Sequence, residues 1–195
     1  MEALYTTFDY ENPDEINLSL YDTIIKNLNG KPVIGGGIMT SHWNLHKRGL
    51  KDINIICEWL IPLIPIAAGI FSQGIDQQTA ETYFVAKKVQ ADTERNFPIS
   101  SFDLSSTWGV HYTEDTHIVS HNHFPFAMSF IYCVRAPKGS SPLLIEEHEI
   151  NLSEGTIVFF PANQYHGTLP TDTTGRCMFV GNIAYKFWQW KGEQE

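Results

Sequence analysis

The second half of this chain constrains its fold most. From about Ser105 the sequence breaks into short runs rich in β-branched and aromatic residues: 106–112, 117–123, 127–135, 142–149, 156–160, 164–169 and 175–188. Turn-forming residues close each run, and seven such segments in about ninety residues predict an all-β sandwich or barrel. The first half reads differently. Asn12, Pro13, Asp14 and Glu15 have the form of a helix start, with proline in the first position and a carboxylate three residues after the cap. Ile16, Leu20, Ile24 and Leu28 then recur every fourth residue, so they share one face until Asn29-Gly30 stops the helix. A second helix is expected after Asp52, running toward Gly74. There are no repeats, low-complexity tracts or linkers. The expectation is therefore one domain over 1–195, mainly β with N-terminal helices: a helical buttress over about 1–100 and a β core over about 101–190.

Composition narrows the function classes. Of 195 residues, 22 are Asp or Glu and 13 are Lys or Arg, a formal charge of -9 that speaks against binding a phosphate backbone, so no nucleic-acid partner is expected. A hydrophobic share of 43% argues for a globular chain rather than a disordered one. Cys57, Cys133 and Cys177 lie far apart without a CxxC, which suggests buried thiols in a reducing compartment. The acidic N-terminus lacks the basic start and apolar run of a signal peptide, and a cytoplasmic location is expected. Ile53 to Phe71 is apolar, yet it carries Glu58, Pro62 and Pro65 and reads as a buried, interrupted helix; no membrane partner is expected. Gly35-Gly36-Gly37 lacks the Lys-Ser/Thr of a phosphate loop and reads as a turn. His42 and His46 have helical ligand spacing without the glutamate of HExxH, and read as surface or hydrogen-bonded histidines. Trp108, Trp188 and Trp190 read as packing aromatics. His111, His117 and Arg135 are weaker candidates for contacts near a site.

The chemistry concentrates in the β-rich half. In HIVSHNHF, His121 and His123 alternate on a strand, so both imidazoles face one side and can reach a common ion. Gly155 through Pro161 is an apolar strand between a glycine turn and a proline, and it leads to His166, a third imidazole on the following strand. Arg176 follows, with Met178, Val180 and Asn182 on its face by the period of two. A guanidinium pointing into an apolar barrel calls for an anion, and its planar fork matches a carboxylate.

These stretches, HNHFPFAMSFIYCVRAP, LSEGTIVFFPANQYHGTLP and GRCMFVGN, resemble the iron(II)- and 2-oxoglutarate-dependent oxygenases, especially a small phage and bacterial hydroxylase branch. The resemblance covers roughly residues 105–185, with Ser129, Tyr132, Phe160, Pro161, His166, Arg176 and Asn182 at matching places. It implies a double-stranded β-helix, or jelly roll, with iron(II) held by His121 and His166 and chelated by 2-oxoglutarate. Arg176 would grip the distal carboxylate of that diacid, with Tyr132 and Asn182 as further cofactor-binding residues. A small-molecule or peptide substrate would be hydroxylated, with succinate and carbon dioxide released, and a homodimer is compatible with the pattern. Two positions depart from the wider superfamily. His123 stands where most members carry a carboxylate, leaving the third ligand open between His123 and a residue such as Glu114 or Asp115. Met178 replaces a serine or threonine that helps hold the diacid. The cupins share the architecture, and a cupin-type metal-dependent enzyme or binding module is the alternative, although the usual glutamate after HxH is replaced by Phe124-Pro125-Phe126-Ala127-Met128.

Overall fold

The computed structural model describes residues 4–32, 39–82 and 102–185. Gly35-Gly36-Gly37, Trp188 and Trp190 lie outside these residues. The elements run β1 (Thr6–Asp9), α1 (Pro13–Lys26), β2 (Leu28–Pro32), β3 (Met39–Ser41), α2 (Lys51–Leu60), α3 (Leu63–Gln73), β4 (Phe102–His111), β5 (Met128–Arg135), β6 (Leu143–Ile145), β7 (His148–Ile150), β8 (Thr156–Pro161), β9 (His166–Thr168) and β10 (Cys177–Tyr185). Seven strands form one sheet in the order β1-β8-β5-β10-β4-β3-β2, and three form a second in the order β7-β6-β9. Every ladder is antiparallel. This is the mainly β, jelly-roll architecture.

The period of two divides the core. On the central strands β5, β8 and β10, Phe130, Tyr132, Val134, Ile157, Phe159, Cys177 and Phe179 face one side, where they pack against α1, α2 and α3. Ile131, Cys133, Val158, Phe160, Met178 and Val180 face the other side, with Leu143, Ile145 and Ile150 of the smaller sheet. The smaller sheet and the helices thus cover opposite faces of the larger one. Helix α1 buries Ile16, Leu20 and Ile24, each worth about 1.5–3 kcal/mol of transfer free energy. It can lie close because residue 109 is glycine, where a Cβ would collide with the Ile24 side chain.

Several expectations need correcting. The first half is not solely helical: β1, β2 and β3 join the large sheet, so the sheet crosses the boundary drawn near residue 100. Such strands of three to five residues are too short to show a period. Helix α1 ends at Lys26, and Leu28 opens β2. Asn12 adopts a left-handed conformation, φ 57, and makes no side-chain capping bond; Pro13 and the acidic first turn carry the helix start. The run 142–149 is a hairpin, because Glu146 at φ 51 turns the chain between β6 and β7. Segment 117–123 is not a regular strand, and only His121 forms a bridge, to His166. By length and composition Lys51–Gln73 could cross a membrane, but it divides into α2 and α3 near Pro62, and Ile53, Ile56, Leu60, Ile64 and Ala67 are buried in the core.

Candidate metal centre

Three imidazoles meet at one end of the smaller sheet. Strand β9 consists of His166-Gly167-Thr168, all buried. At Gly167 a Cβ would stand 2.6 Å from the Ile118 carbonyl oxygen and 3.1 Å from the Ser120 nitrogen, so only glycine lets segment 118–121 lie against β9. That approach is fixed by reciprocal bonds: the His121 N–H donates to the His166 carbonyl at 3.0 Å, and the His166 N–H to the His121 carbonyl at 2.8 Å. A further bond from the Thr168 N–H to the Ile118 carbonyl measures 3.0 Å. His123 is held by its own N–H, which donates to the Ala162 carbonyl at 2.8 Å.

The ring centroids lie 4.4 Å apart for His121 and His166, 4.9 Å for His121 and His123, and 5.0 Å for His123 and His166. One nitrogen from each ring lies within 4.8 Å of the others. An ion centred in such a triangle is about 2.8 Å from each corner, and small inward ring rotations bring it to a coordination bond of about 2.1 Å. The Nδ1 of His121 is 2.9 Å from the Val119 carbonyl and that of His166 is 3.4 Å from the Gln164 carbonyl. A carbonyl only accepts, so these contacts put the proton on Nδ1 and leave Nε2 for a metal. Burial, then the neighbouring His121 and His123, push His166 down to about 3; burial, then His121, push His123 down to about 4. Both rings are neutral at pH 7, the form that ligates. Among the described residues no carboxylate joins this group, and Glu114 and Asp115 sit exposed in a turn.

Arg176 lines the same cavity, which has a volume of about 250 Å³. It is only 2% exposed, and its Nε and Nη1 have no hydrogen-bond partner. The only ion pair among the described residues is Lys26–Asp22, so no carboxylate neutralises it. Its guanidinium carbon lies 4.9 Å from the centroid of the Tyr112 ring, and the Tyr112 hydroxyl shares a hydrogen bond with Thr168. Burial holds the Tyr112 phenol above its ordinary range, against the Arg176 charge, so it stays protonated. A buried, unpaired cation costs several kcal/mol unless an anion reaches it.

The other predicted positions separate. Tyr132 is on the helix face of β5, the side opposite Arg176, and its hydroxyl donates to Asn17 Oδ1 at 2.7 Å; the expectation that it reaches a diacid beside Arg176 fails on strand parity. Asn182 is buried, but its amide is used within the sheet: Oδ1 accepts from Ser129 Oγ at 2.9 Å and Nδ2 lies 3.2 Å from Ser106 Oγ. It does not line the cavity. Met178 does, beside Arg176. His111 and Arg135 contact Tyr21 instead, His117 stays outside the imidazole group, and His46 bonds Thr107 while His42 is exposed. Sequence reasoning missed Tyr112 and Thr168, and it read Trp108 as packing only. Yet Trp108, Val110 and Tyr112 alternate along one strand, a pattern that marks a shared face. Trp43 follows β3 in a turn, where no periodicity points to it.

No family model matches the sequence, and no curated protein matches it. Among solved structures the fold is similar to the viral collagen prolyl hydroxylase of Paramecium bursaria Chlorella virus-1, determined as a 2OG complex (12% identity, 93% of this chain and 96% of that one, TM-score 0.59). It is also similar to a Pseudomonas putida prolyl-4-hydroxylase (10% identity, 93% and 92%, TM-score 0.59). A third similar structure is SnoN, a non-haem alpha-ketoglutarate-dependent epimerase of nogalamycin biosynthesis (10% identity, 93% and 78%, TM-score 0.60). At these identities the likeness is one of fold.

Proposed function

We propose that this chain is an iron(II)- and 2-oxoglutarate-dependent oxygenase that hydroxylates a small-molecule or peptide substrate, with release of succinate and carbon dioxide. One observation carries the reading: three imidazoles and a buried, unpaired guanidinium line one cavity. The residues fit the two groups this chemistry needs. His121, His123 and His166 would hold the iron through ring nitrogens. Arg176 would pair with the distal carboxylate of the diacid, with the protonated Tyr112 hydroxyl and Thr168 nearby as neutral hydrogen-bonding groups. This compensates for Met178, which offers no hydroxyl. When bound, iron and 2-oxoglutarate supply dioxygen activation, which no protein side chain provides.

The chain's own residues would then orient and exclude. The Val119 and Gln164 carbonyls hold two rings in the ligating tautomer. Apolar walls from Val110, Ile131, Leu143 and Phe160 keep water from the centre. Neighbours of similar fold include both hydroxylases and an epimerase, so hydroxylation rests on the resemblance of the motifs. A cupin-type reading leaves the Arg176 charge without a purpose. Three free, buried cysteines are consistent with a cytoplasmic setting. The test is spectroscopic: anaerobic iron(II) and 2-oxoglutarate added together should give a weak visible charge-transfer band absent with either alone. Stoichiometric iron without that band would remove 2-oxoglutarate from the proposal.

A further inference from the structure

The cavity holds more than an ion and a diacid require. Along the cavity face of β4 and the residue that follows it, the side chains run Tyr112, Val110, Trp108. Tyr112 stands at the Arg176 end; Trp108 stands at the other, with its ring 5.9 Å from that of His123. Trp43 stacks on Trp108, with centroids 4.6 Å apart and planes 16° from parallel. The Trp43 backbone is anchored, because its carbonyl accepts the Thr107 N–H at 3.1 Å. Trp43 lines the cavity and is 50% exposed, so part of its ring is left uncovered at the mouth.

Two further observations define what would sit there. No carboxylate lines the cavity, and its one formal charge is the Arg176 guanidinium, so an ammonium group at the tryptophan end would find no counter-ion and would share the cavity with a like charge. Thr40, on β3 opposite Val110, lines the cavity and is 1% exposed, and its Oγ1 has no hydrogen-bond partner. A buried hydroxyl left unpaired is costly, and a ligand group would satisfy it.

We infer that the substrate subsite of this cavity takes an uncharged planar aromatic ring carrying one hydrogen-bonding group, with the ring packed on Trp43 and the polar group bonded to Thr40 Oγ1. The inference rests on the proposed oxygenase reading for the identity of the metal end, but the subsite is defined by residues apart from the ligand histidines and Arg176. Aromatic stacking on an exposed indole typically adds about tenfold in affinity. The Trp43–Trp108 stack joins this subsite to the metal end, because the Trp108 ring is itself 5.9 Å from that of His123.

The test uses the zinc-loaded full chain and three probes, titrated calorimetrically: indole, 1-methylindole and the cation tryptamine. Indole should bind at least tenfold more tightly than tryptamine, and should lose about tenfold in Trp43→Ala while Trp43→Phe keeps most of the affinity. Thr40→Val should erase the preference for indole over 1-methylindole without weakening 1-methylindole. Circular dichroism identifies any variant that fails to fold, and Trp43→Phe then carries the comparison. Indole binding that is absent, equal to tryptamine binding, or indifferent to residues 43 and 40 would overturn the inference. The 2-oxoglutarate band tests the oxygenase reading separately, so a band without an indole site would remove only the subsite.

Discussion

His123 is the residue at which this centre departs most from a two-histidine, one-carboxylate site. A third neutral ligand leaves a divalent ion with its full charge, where a carboxylate would cancel one unit of it. His123→Asp should therefore retain iron(II) more tightly, by about tenfold or more, as read from the metal content after dialysis against a chelator. His166→Ala should lose iron, because it removes one of the three imidazoles while leaving the backbone bridge to His121 in place. Arg176→Ala should keep the iron but require far more 2-oxoglutarate to develop the visible band; a loss of one charged pair corresponds to about a hundredfold or more. Unchanged 2-oxoglutarate dependence in that variant would detach Arg176 from the diacid. The grouping of His121, His123, His166 and Arg176 was legible from the HxH spacing and from the apolar run, proline and histidine that precede Arg176. Tyr132 was misread for a reason the sequence itself contains: Ser129 and Tyr132 are three apart on β5, so they fall on opposite faces. Asn182 has the right parity and still misses the cavity, because Ser129 and Ser106 claim its amide, and such pairing across strands is invisible in one segment alone.

At the scale of elements, the segments that carry His121, His123 and His166 are short or irregular. The stretch 117–123 has no strand assignment, and β9 spans three residues. Their juxtaposition depends on Gly167 rather than on β-propensity. Gly167→Ala would set a methyl group against the Ile118 carbonyl, costing about 1–3 kcal/mol of stability and parting His121 from His166. Thermal melting and iron content should fall together; a variant that melts lower but holds iron normally would show that the bridge is not what aligns the rings. The long central strands were readable as apolar β-branched and aromatic runs closed by turn residues, and α1 from its amphipathic face. The hairpin at Glu146 and the short strands β1, β2 and β3 were not, because a left-handed turn at glutamate and pairings of two to four residues are chosen by tertiary contacts.

For the whole molecule, the large sheet separates two environments: helices seal one face, and the other face carries the cavity. Enclosing uncharged histidines on the cavity side ties stability to pH. His166 is pushed down to about 3 and His123 to about 4 in the fold, whereas in the unfolded chain both titrate near 6.5. Between those values the unfolded state binds more protons, so stability rises with pH there. The metal-free protein should be most stable above about pH 6.5 and lose stability steadily toward pH 4. Chemical denaturation at pH 7, 6 and 5 checks this, and a flat profile would mean the rings take up protons without leaving their places. The architecture was legible from strand count and order of motifs. The helical cover was legible in α1 and in the interrupted run that became α2 and α3, but not in the strands that flank them, which carry no period.

The three cysteines have a use that none of this chemistry requires. Cys57 and Cys177 are buried on the helix side and Cys133 on the other, and burial raises all three thiols, Cys57 and Cys133 to about 12. Since only a thiolate is alkylated, native molecules are shielded twice, by access and by protonation. Reagent uptake is thereby a clock for opening, and comparing its rate on the two sides tells whether helices and barrel come apart in one event or in sequence.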